Sequence, residues 1–404
     1  MPRPLLGAAA LALFAALGLR PLAAQEPAPP PTGPSPAATT EPAESAWTNT
    51  DVPWRTSYFP YLTGLANDGP LVAARVRYFQ LAPYEDRVTA RAALQLDAGI
   101  GFRGSRFAAA QFIAPRLVRD WRFYALLTAV RESRFGFYGI GEHSVRDPAN
   151  EENGHDQFYR TVRRSYRAQV DVTRKLLGPL SFGLMGELLS SRYAAPADQT
   201  SLFQSEVGPD LRQRDASARA ALIYDTRDVE YNTHRGLLLE FGGQLGTGGD
   251  GYQRLYGVLR GWVQPREGTV LAARLTGAQL FGTPTLDARY IIPAWERPIL
   301  VYGGEYSNRG LDLPRYVGKG VLFGNFEWRQ EVKSFGDLGA VGFIAFLDAG
   351  RVFEPSEFRL TFDDLKVGGG GGLAIRILRG TIFTFTLARG PERTIFTITN
   401  GWLF

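Results

Sequence analysis

Beyond Thr56, apolar and polar residues alternate along most of the chain with a period of two. Between residues 325 and 329, for example, Phe326 and Trp328 alternate with Asn325, Glu327 and Arg329. An extended segment with this pattern has one apolar face and one polar, often charged face. No helical period persists in this region. The pattern therefore predicts a succession of β-strands.

The length of the strands and the charge on their polar faces favour a membrane barrel over a soluble β-sandwich. Arg, Asp, Glu and Gln recur on the polar faces, as a wet lumen requires, whereas the other faces are rich in Ala, Leu and aromatic residues. Strands of about ten residues can cross a bilayer when tilted. Lipid permits only helices and closed barrels, and no apolar run of membrane-helix length follows the N-terminal segment. The predicted fold class is all-β: a transmembrane antiparallel β-barrel.

Sixteen candidate strands can be placed, an even number as expected of a single-chain bacterial barrel. They are 56–65, 71–80, 87–100, 104–117, 121–131, 158–173, 179–193, 215–226, 236–246, 252–264, 269–281, 318–333, 340–351, 369–378, 381–389 and 394–404. If both chain ends are periplasmic, the long connections 132–157, 194–214 and 282–317 are extracellular. The short turns then lie on the periplasmic side.

The first 54 residues have the composition of export and linker segments. An apolar run from Leu5 to Leu19 follows Arg3 and precedes small residues up to Ala24, which predicts a cleaved signal peptide at 1–24. Its apolar core is shorter than the ~20 residues that span a bilayer. Residues 25–54 are rich in Pro, Ala and Thr and predict a disordered or extended periplasmic linker. The barrel is then residues 55–404.

The composition argues against catalysis and nucleic-acid binding. The chain has no cysteine and three histidines, so thiolate sites are excluded and little is left for a metal centre. The net charge of +5 comes from Lys and Arg that are scattered along the alternating segments, which predicts no nucleic-acid partner. The glycine run at 368–372 lacks a following Gly-Lys-Ser/Thr and favours close packing in a strand. We predict a protein without catalytic residues, metal or cofactor.

The second half of the chain resembles a known family in six places, in the right order. These are "YDTRDVEYNTHRGLLLEF" (224–241), "YIIPAWERPILVYGGEYSNRGL" (290–311), "GNFEWR" (324–329), "FLDAG" (346–350) with "GGGGLAIR" (369–376), and the final "TNGWLF". They are similar to segments of the bacterial surface antigen family, outer-membrane barrels of the BamA, TamA and FhaC type. The resemblance implies a barrel that assembles or translocates proteins.

The chain also departs from this family. Asn308 stands where a hydrophobic residue usually precedes the Arg-Gly signature, and Leu311 replaces an aromatic residue. Family members that handle client proteins carry periplasmic receptor domains before the barrel, whereas only the linker precedes it here. The sequence therefore resembles the barrel domain without its receptor domains.

The resemblance implies that loop 282–317 folds into the lumen and brings Arg309 to the inner wall. Glu327 lies on the polar face of its strand by alternation, and Asp348 interrupts the apolar run "VGFIAFLDAG". A guanidinium fork suits such carboxylates, and Gly310 would permit a tight turn beside it. We expect a structural contact between loop and wall; the alternative is a solvated extracellular loop.

Two further features concern the ends of the barrel. Pro60 removes a backbone donor from the first strand, which indicates either a weak lateral seam or a periplasmic lead-in. By alternation Trp402 and Phe404 share a lipid-facing stripe with Phe396 and Ile398. The resemblance implies that this end is an insertion signal that the barrel assembly machinery reads.

Two functions remain open from the sequence. One is an outer-membrane barrel that assembles or translocates a client, with an openable seam and an inserted loop. The other is a passive structural barrel or narrow pore without a client. In either case we expect a monomer in contact with outer-membrane lipid, and the first function allows a separate periplasmic protein or a client barrel as a partner.

Overall fold

The computed structural model describes residues 52–404, except 65–68, 84–85, 153–154, 198–199, 337, 355–362 and 379–380. The predicted signal peptide at 1–24 and almost all of the predicted linker at 25–54 lie outside the described residues. The described part is dominated by one antiparallel sheet of sixteen strands that curves into a nearly closed barrel. The predicted fold class is confirmed.

Each of the sixteen predicted strands is present. The strands of the barrel are β1 (Trp54–Gly64), β2 (Pro70–Leu81), β3 (Ala90–Gly101), β4 (Arg106–Val118), β5 (Trp121–Gly136), β6 (Arg160–Leu177), β7 (Leu180–Ala194), β8 (Asp210–Asp225), β9 (Gly236–Gly246), β10 (Tyr252–Arg266), β11 (Thr269–Gly282), β14 (Gly320–Ser334), β15 (Gly339–Phe353), β16 (Lys366–Ile377), β17 (Thr381–Arg389) and β18 (Thr394–Asn400). Two short strands, β12 (Ile291–Ile292) and β13 (Ile299–Leu300), pair with each other between β11 and β14.

Some strand ends differ from the prediction where charged residues hide the apolar alternation. Strand β8 begins at Asp210, five positions before the predicted start at residue 215. The prediction started too late because Asp210, Arg212 and Arg214 occupy outward positions that are usually apolar. Strand β18 ends at Asn400, since Gly401 adopts a positive φ of 97° that breaks the extended conformation. The predicted strand 394–404 is therefore too long.

The distribution of polar and apolar side chains is the reverse of that in a soluble protein. In β9 and β10, Glu240 and Arg254 are 2% and 3% exposed, whereas their neighbours Leu239 and Leu255 are 42% and 52% exposed. The same alternation recurs along β8. Because exposed apolar residues form a continuous outer surface and charged residues line the inside, the sheet has the two faces of a membrane barrel.

Helices are short in the described part of the chain. They are α1 (Leu202–Glu206), α2 (Leu286–Tyr290) and a 3-10 turn at Pro148–Glu151. No helix in the described ranges is long and apolar enough to cross a membrane.

The hydrogen-bonded sheet has two edges, β1 and β18. The strand order runs from β1 to β18, and within the described residues no backbone ladder joins these two strands. Strand β1 pairs only with β2, in a regular register from Trp54 to Gly64. The other neighbouring strands of the barrel are joined by backbone hydrogen bonds, whereas the first and last strands meet at a junction without such a ladder.

The segment 283–319 between β11 and β14 packs against inward-facing side chains of the wall. Ile299, Tyr302 and Leu311 form one apolar cluster with Tyr256 of β10 and Phe323 of β14. Leu286 and Tyr290 of α2 form a second cluster with other buried aromatic residues. The segment is thus a packed part of the fold.

Candidate functional site

Arg309 lies at the centre of a buried cluster of charged groups. Its Nε and Nη2 donate to the two oxygens of Asp348 at 2.9 and 2.8 Å, and its backbone N–H donates to Oδ2 of the same carboxylate at 3.0 Å. Its Nη1 donates to Oε1 of Glu327 at 2.6 Å, and the guanidinium carbon is 3.6 Å from the ring centre of Phe346. The structure thus brings together Arg309, Glu327 and Asp348.

Both carboxylates have further partners. Asn325 donates from Nδ2 to Asp348 at 2.7 Å and to the carbonyl oxygen of Ser307 in the loop at 2.6 Å. Arg329 donates from Nε and Nη2 to the second oxygen of Glu327, at 2.9 and 2.6 Å. Because Glu327 and Asp348 are fully buried, these bonds offset a large desolvation cost.

The charge state of Arg309 follows from this environment. Burial alone would lower the pKa of Arg309, but the carboxylates of Asp348 and Glu327 more than compensate and raise it above its ordinary value. The guanidinium is therefore permanently charged. The guanidinium of Arg309 is buried between Asp348 and Glu327, so the arrangement joins the loop to the wall.

Gly310 fits its place because of close packing. A Cβ atom there would lie 2.9 Å from the Cα atoms of Gly368 and Gly390 and 3.0 Å from the carbonyl oxygen of Arg389. A tight turn is present, since the N–H of Leu311 donates to the carbonyl oxygen of Asn308 at 3.2 Å, but Gly310 does not adopt a positive φ in it. The tip of the loop instead lies directly against β16 and the β17–β18 turn.

Asn308, which departs from the family pattern, is buried with its amide satisfied. Its Nδ2 donates to the hydroxyl of Tyr302 at 3.0 Å and to the carbonyl oxygen of Lys366 at 2.9 Å. Its Oδ1 accepts from the backbone N–H of Gly310 at 3.0 Å. Where the family pattern has a hydrophobic residue, Asn308 thus binds the start of β16 through a hydrogen bond to Lys366.

A second anchor of the same loop was missed in the sequence. Asp287 of α2 accepts hydrogen bonds from Arg163 at 2.6 Å, from the Tyr193 hydroxyl at 2.9 Å and from the Ser191 hydroxyl. Arg163 also donates to Glu132 at 2.9 Å. These partners lie on β5, β6 and β7, so the loop is held to two separate parts of the wall.

A third set of contacts lies between these anchors. The backbone N–H of Trp295 donates to Glu240 at 2.8 Å, and its indole N–H donates to Thr173 at 3.1 Å. Glu296 accepts from Arg227, whose Nη2 is 2.7 Å from Oε1. Arg227 belongs to the segment that resembles the Asp-x-Arg-Asp motif, but nothing in the sequence indicated that it contacts the loop.

The last four residues of the sequence turn towards the inside of the sheet. The Trp402 indole N–H donates to Asn232 at 2.8 Å, and the Phe404 ring centre is 6.2 Å from that of the inward-facing Trp262. Beyond Gly401 the alternation no longer predicts the side, so the expectation that Phe404 and Trp402 face lipid is wrong. Whether they act as an insertion signal stays a prediction.

The same tail contacts the loop and the wall through arginines. Arg297 of the loop donates to the carbonyl oxygen of Leu403 at 2.7 Å, and Arg329 donates to that of Phe404 at 2.9 Å. The guanidinium carbon of Arg329 is 4.4 Å from the ring centre of Trp402. Arg329 thus links the tail to Glu327, which in turn binds Arg309 of the loop.

Pro60 lies within β1, opposite Ala74 of β2. A periplasmic lead-in, one of the two readings of Pro60, is therefore excluded. Residues 53–60 are exposed, and Pro60 has no N–H to offer a neighbouring strand. Its strand borders the junction with β18, on which a lateral seam would depend.

The fold is a nearly closed barrel of sixteen strands in which segment 283–319 contacts buried side chains of the wall and no backbone ladder joins β1 and β18 within the described residues. Among solved structures it is similar to BamA from Haemophilus ducreyi lacking POTRA domains 1–3, with a TM-score of 0.54 and 12% identity over 86% of this chain and 70% of that one. It is also similar to CdiB from Escherichia coli, with a TM-score of 0.55 and 12% identity over 85% of this chain.

The chain spans 61% of the length of that CdiB. No protein-family model matches the sequence, and the search of curated proteins found no match. The expected resemblance to BamA-type barrels is confirmed at the level of the fold.

Proposed function

We propose that this protein is an outer-membrane barrel that helps a client polypeptide enter or cross the membrane at the junction of β1 and β18. The observation that carries the proposal is the junction itself, since no ladder joins these strands in the described residues. A strand edge with unpaired N–H and C=O groups can pair with another extended chain. Catalysis is not part of this role.

The loop folded into the lumen would act as a lock that keeps the last strands in place while the junction is open. Arg309 binds β14 and β15, and Gly310 packs against Gly368 of β16 and Gly390 of the β17–β18 turn. An edge strand that lacks a partner on one side needs such support from elsewhere. We infer that these contacts maintain the edge against which a client would pair.

A passive barrel or narrow pore is the second candidate, and one cavity favours it. This cavity of about 360 Å³ has a mixed lining, in which Arg77, Gln111, Arg122, Tyr124 and Glu230 supply polar groups. A pore would need polar groups of this kind along its whole length, and the cavity supplies part of such a lining. Conductance across a planar bilayer, unchanged when the junction is crosslinked, would support this candidate.

The test of the proposed function is a disulfide across the junction, in a chain that has no cysteine of its own. Cysteine pairs are scanned between Ser57, Phe59 or Tyr61 on β1 and Thr397 or Thr399 on β18. The control pair replaces Ala74 and Ala98, which already face each other across β2 and β3. Outer-membrane proteins are then quantified in cells that make only the crosslinked chain, with and without reductant.

The proposed function requires that junction crosslinks deplete one or more outer-membrane or exported proteins, that reductant restores them, and that the control crosslink has no effect. If every such protein keeps its level when the junction is closed, the passive barrel is favoured. Recovery of the chain as a soluble periplasmic protein would refute both candidates. Crosslinking and pull-down from outer membranes would identify the client or a separate periplasmic partner.

A further inference from the structure

Five arginines lie directly opposite one another on five consecutive strands. Arg106 of β4 faces Arg131 of β5, which faces Arg164 of β6. Arg164 faces Arg192 of β7, which in turn faces Arg212 of β8. We call these five residues the arginine row. It lies in the half of the wall nearest the long loops.

The arginine row belongs to the outer surface of the barrel. On β6 the neighbouring Arg163 is buried and bonded to Glu132 and Asp287 on the inside, so Arg164 points outward. Its cross-strand partners share that face. Four of the five side chains are exposed, and that of Arg131 is partly buried.

The positive charge of the row is mostly uncompensated. Like charges that face each other on neighbouring strands repel and destabilise a sheet. Asp210 accepts from Arg192 at 2.6 Å and from Arg212 at 3.3 Å. Within the described part of the chain, the side chains of Arg106 and Arg164 make no ion pair or hydrogen bond, nor does that of the adjacent outward-facing Arg214. Asp210 therefore balances part of the charge at one end of the row, and the guanidinium groups of Arg106 and Arg164 remain available for an external anion.

An apolar groove adjoins the row on the same outer face. Its floor is made of small side chains two to four residues further from the long loops, namely Ala108, Ala110, Ala129, Ala168 and Ala216. Its volume is about 920 Å³, and an adjoining groove of about 800 Å³ shares Leu127, Ala168 and Leu188 with it. Leu127 and Leu188 are 59% and 62% exposed. The wall is thus recessed where acyl chains of the membrane would lie.

We propose that this face binds a phosphorylated lipid with several acyl chains, whose phosphate groups contact the arginine row and whose chains fill the alanine-floored groove. Guanidinium groups bind phosphate through paired hydrogen bonds. Five strands about 4.8 Å apart spread the row over roughly 19 Å, which exceeds the reach of one phosphate. The inference is independent of any client and requires only that the barrel lies in a membrane.

The test uses the full chain, purified in detergent, and native mass spectrometry. The probes are lipid A with two phosphates, the same lipid A after dephosphorylation, and phosphatidylethanolamine. The variant is Arg106→Gln/Arg164→Gln, which removes two arginines without a partner. The control is Arg174→Gln, an exposed residue of the same strand β6 near its opposite end.

We expect the parent to bind bisphosphorylated lipid A in preference to both other lipids. Each arginine near a charged lipid surface contributes about a fivefold change in affinity, so the double variant should bind about 25-fold more weakly. Arg174→Gln should bind like the parent. Because exposed charges are screened, added salt should weaken binding by the parent.

Equal binding of phosphorylated and dephosphorylated lipid A by the parent would overturn the proposal, and this comparison needs no variant to fold. Binding by a folded double variant that equals that of the parent would overturn it as well. A dimer without bound lipid would assign this face to a second copy of the chain and would also contradict the proposal.

Discussion

Arg309 and Asp348, 39 positions apart in the sequence, are joined by three hydrogen bonds, two from the guanidinium group and one from the backbone N–H. The same carboxylate thus fixes both the side chain and the main chain of the loop tip. A lysine could supply the charge but could not reproduce this geometry. The pair is therefore the most specific contact between the loop and the wall.

Removal of Arg309 should destabilise the barrel. Arg309→Ala leaves Asp348 and Glu327 buried without a cation they need, at a cost of about 3–5 kcal/mol, whereas Arg309→Lys should recover only part of the loss. The midpoint of heat modification and the urea-unfolding curve in detergent measure this change. Arg389→Ala, at an exposed residue whose side chain donates to Thr394 at 3.4 Å, is the control and should have little effect.

A double-mutant cycle decides whether the two residues act as a pair. Once Arg309 is absent, Asp348→Ala should add little further loss, because residues in contact are not additive. Independent effects of the two substitutions, together with equal protease sensitivity of the loop in the parent and in Arg309→Ala, would show that the loop is not bound to the wall.

Gly310→Ala should also loosen the loop. The added Cβ would meet the backbone of Gly368 and Gly390, which cannot move aside as a flexible side chain could. Overpacking of this kind costs about 1–3 kcal/mol. Protease access to residues 283–319 and urea unfolding measure the effect. Gly257→Ala in β10, where the nearest atom is 3.8 Å away, is the matched control, and an equal loss there would contradict the prediction.

Phe404→Leu should lower the stability of protein refolded in detergent. The ring centre of Phe404 is 5.2 and 5.6 Å from the guanidinium carbons of Arg274 and Arg329, and Leu would lose both cation–π contacts, worth about 1–2 kcal/mol together. Urea unfolding measures the difference. At the outward-facing Phe396, which is 62% exposed, the same substitution should be nearly neutral.

Refolding in detergent takes place without any assembly machinery, so it measures the packing of Phe404 apart from any role of this residue as an insertion signal. Equal small effects of Phe404→Leu and Phe396→Leu would contradict the inward placement of Phe404. Deletion of Phe404 in cells tests the signal separately. We expect less heat-modifiable barrel in the membrane, and an unchanged yield would remove support for a signal at this end.

The turn between β8 and β9 makes stability depend on pH through Glu230. Burial alone would raise the pKa of Glu230, but Arg122, at 2.6 and 2.7 Å in a bidentate pair, and the nearby Arg227 and Arg87 hold it well below 4.5. Because the folded pKa is lowered, the ionised carboxylate contributes its full stabilisation above about pH 4.5 and loses it as the pH falls through the lowered value.

Unfolding curves of the parent and of Glu230→Gln, measured between pH 7 and pH 2, should therefore converge at the acid end. Their difference should be constant above about pH 5. Glu267→Gln replaces an exposed carboxylate in another turn at the same end of the barrel and should follow the parent throughout. A difference between the parent and Glu230→Gln that does not change with pH would refute this role of the pair.

The sequence was sufficient to predict the strands and one of the loop contacts. Alternation placed Glu327 on a polar face, the interrupted apolar run drew attention to Asp348, and the resemblance supplied Arg309. The partners of Asp287 could not be predicted in this way. Arg163 is 124 positions away and Tyr193 is 94 positions away, and alternation gives the face of a strand but not the level at which a loop residue meets it.

Two features could not be predicted from the sequence: the register of the strands and the change of backbone direction at Gly401. Each member of the arginine row is visible in the sequence, but their alignment depends on strand pairing with irregularities between Ala114 and Val118 and between Lys175 and Leu177. Phe404 was assigned to the wrong side because the period of two was continued through Gly401. A glycine just before an aromatic end was the signal that the strand had stopped.

The bond between Arg297 and Leu403 joins residues 106 positions apart and has a consequence for the order of folding. Contacts between distant parts of a chain form late, because a large loop must close first. The tail after β18 can settle only once the β11–β14 segment has arrived. Residues 402–404 should therefore be more accessible in a partly folded barrel than in the folded one, where Leu403 is buried and Trp402 and Phe404 are partly buried.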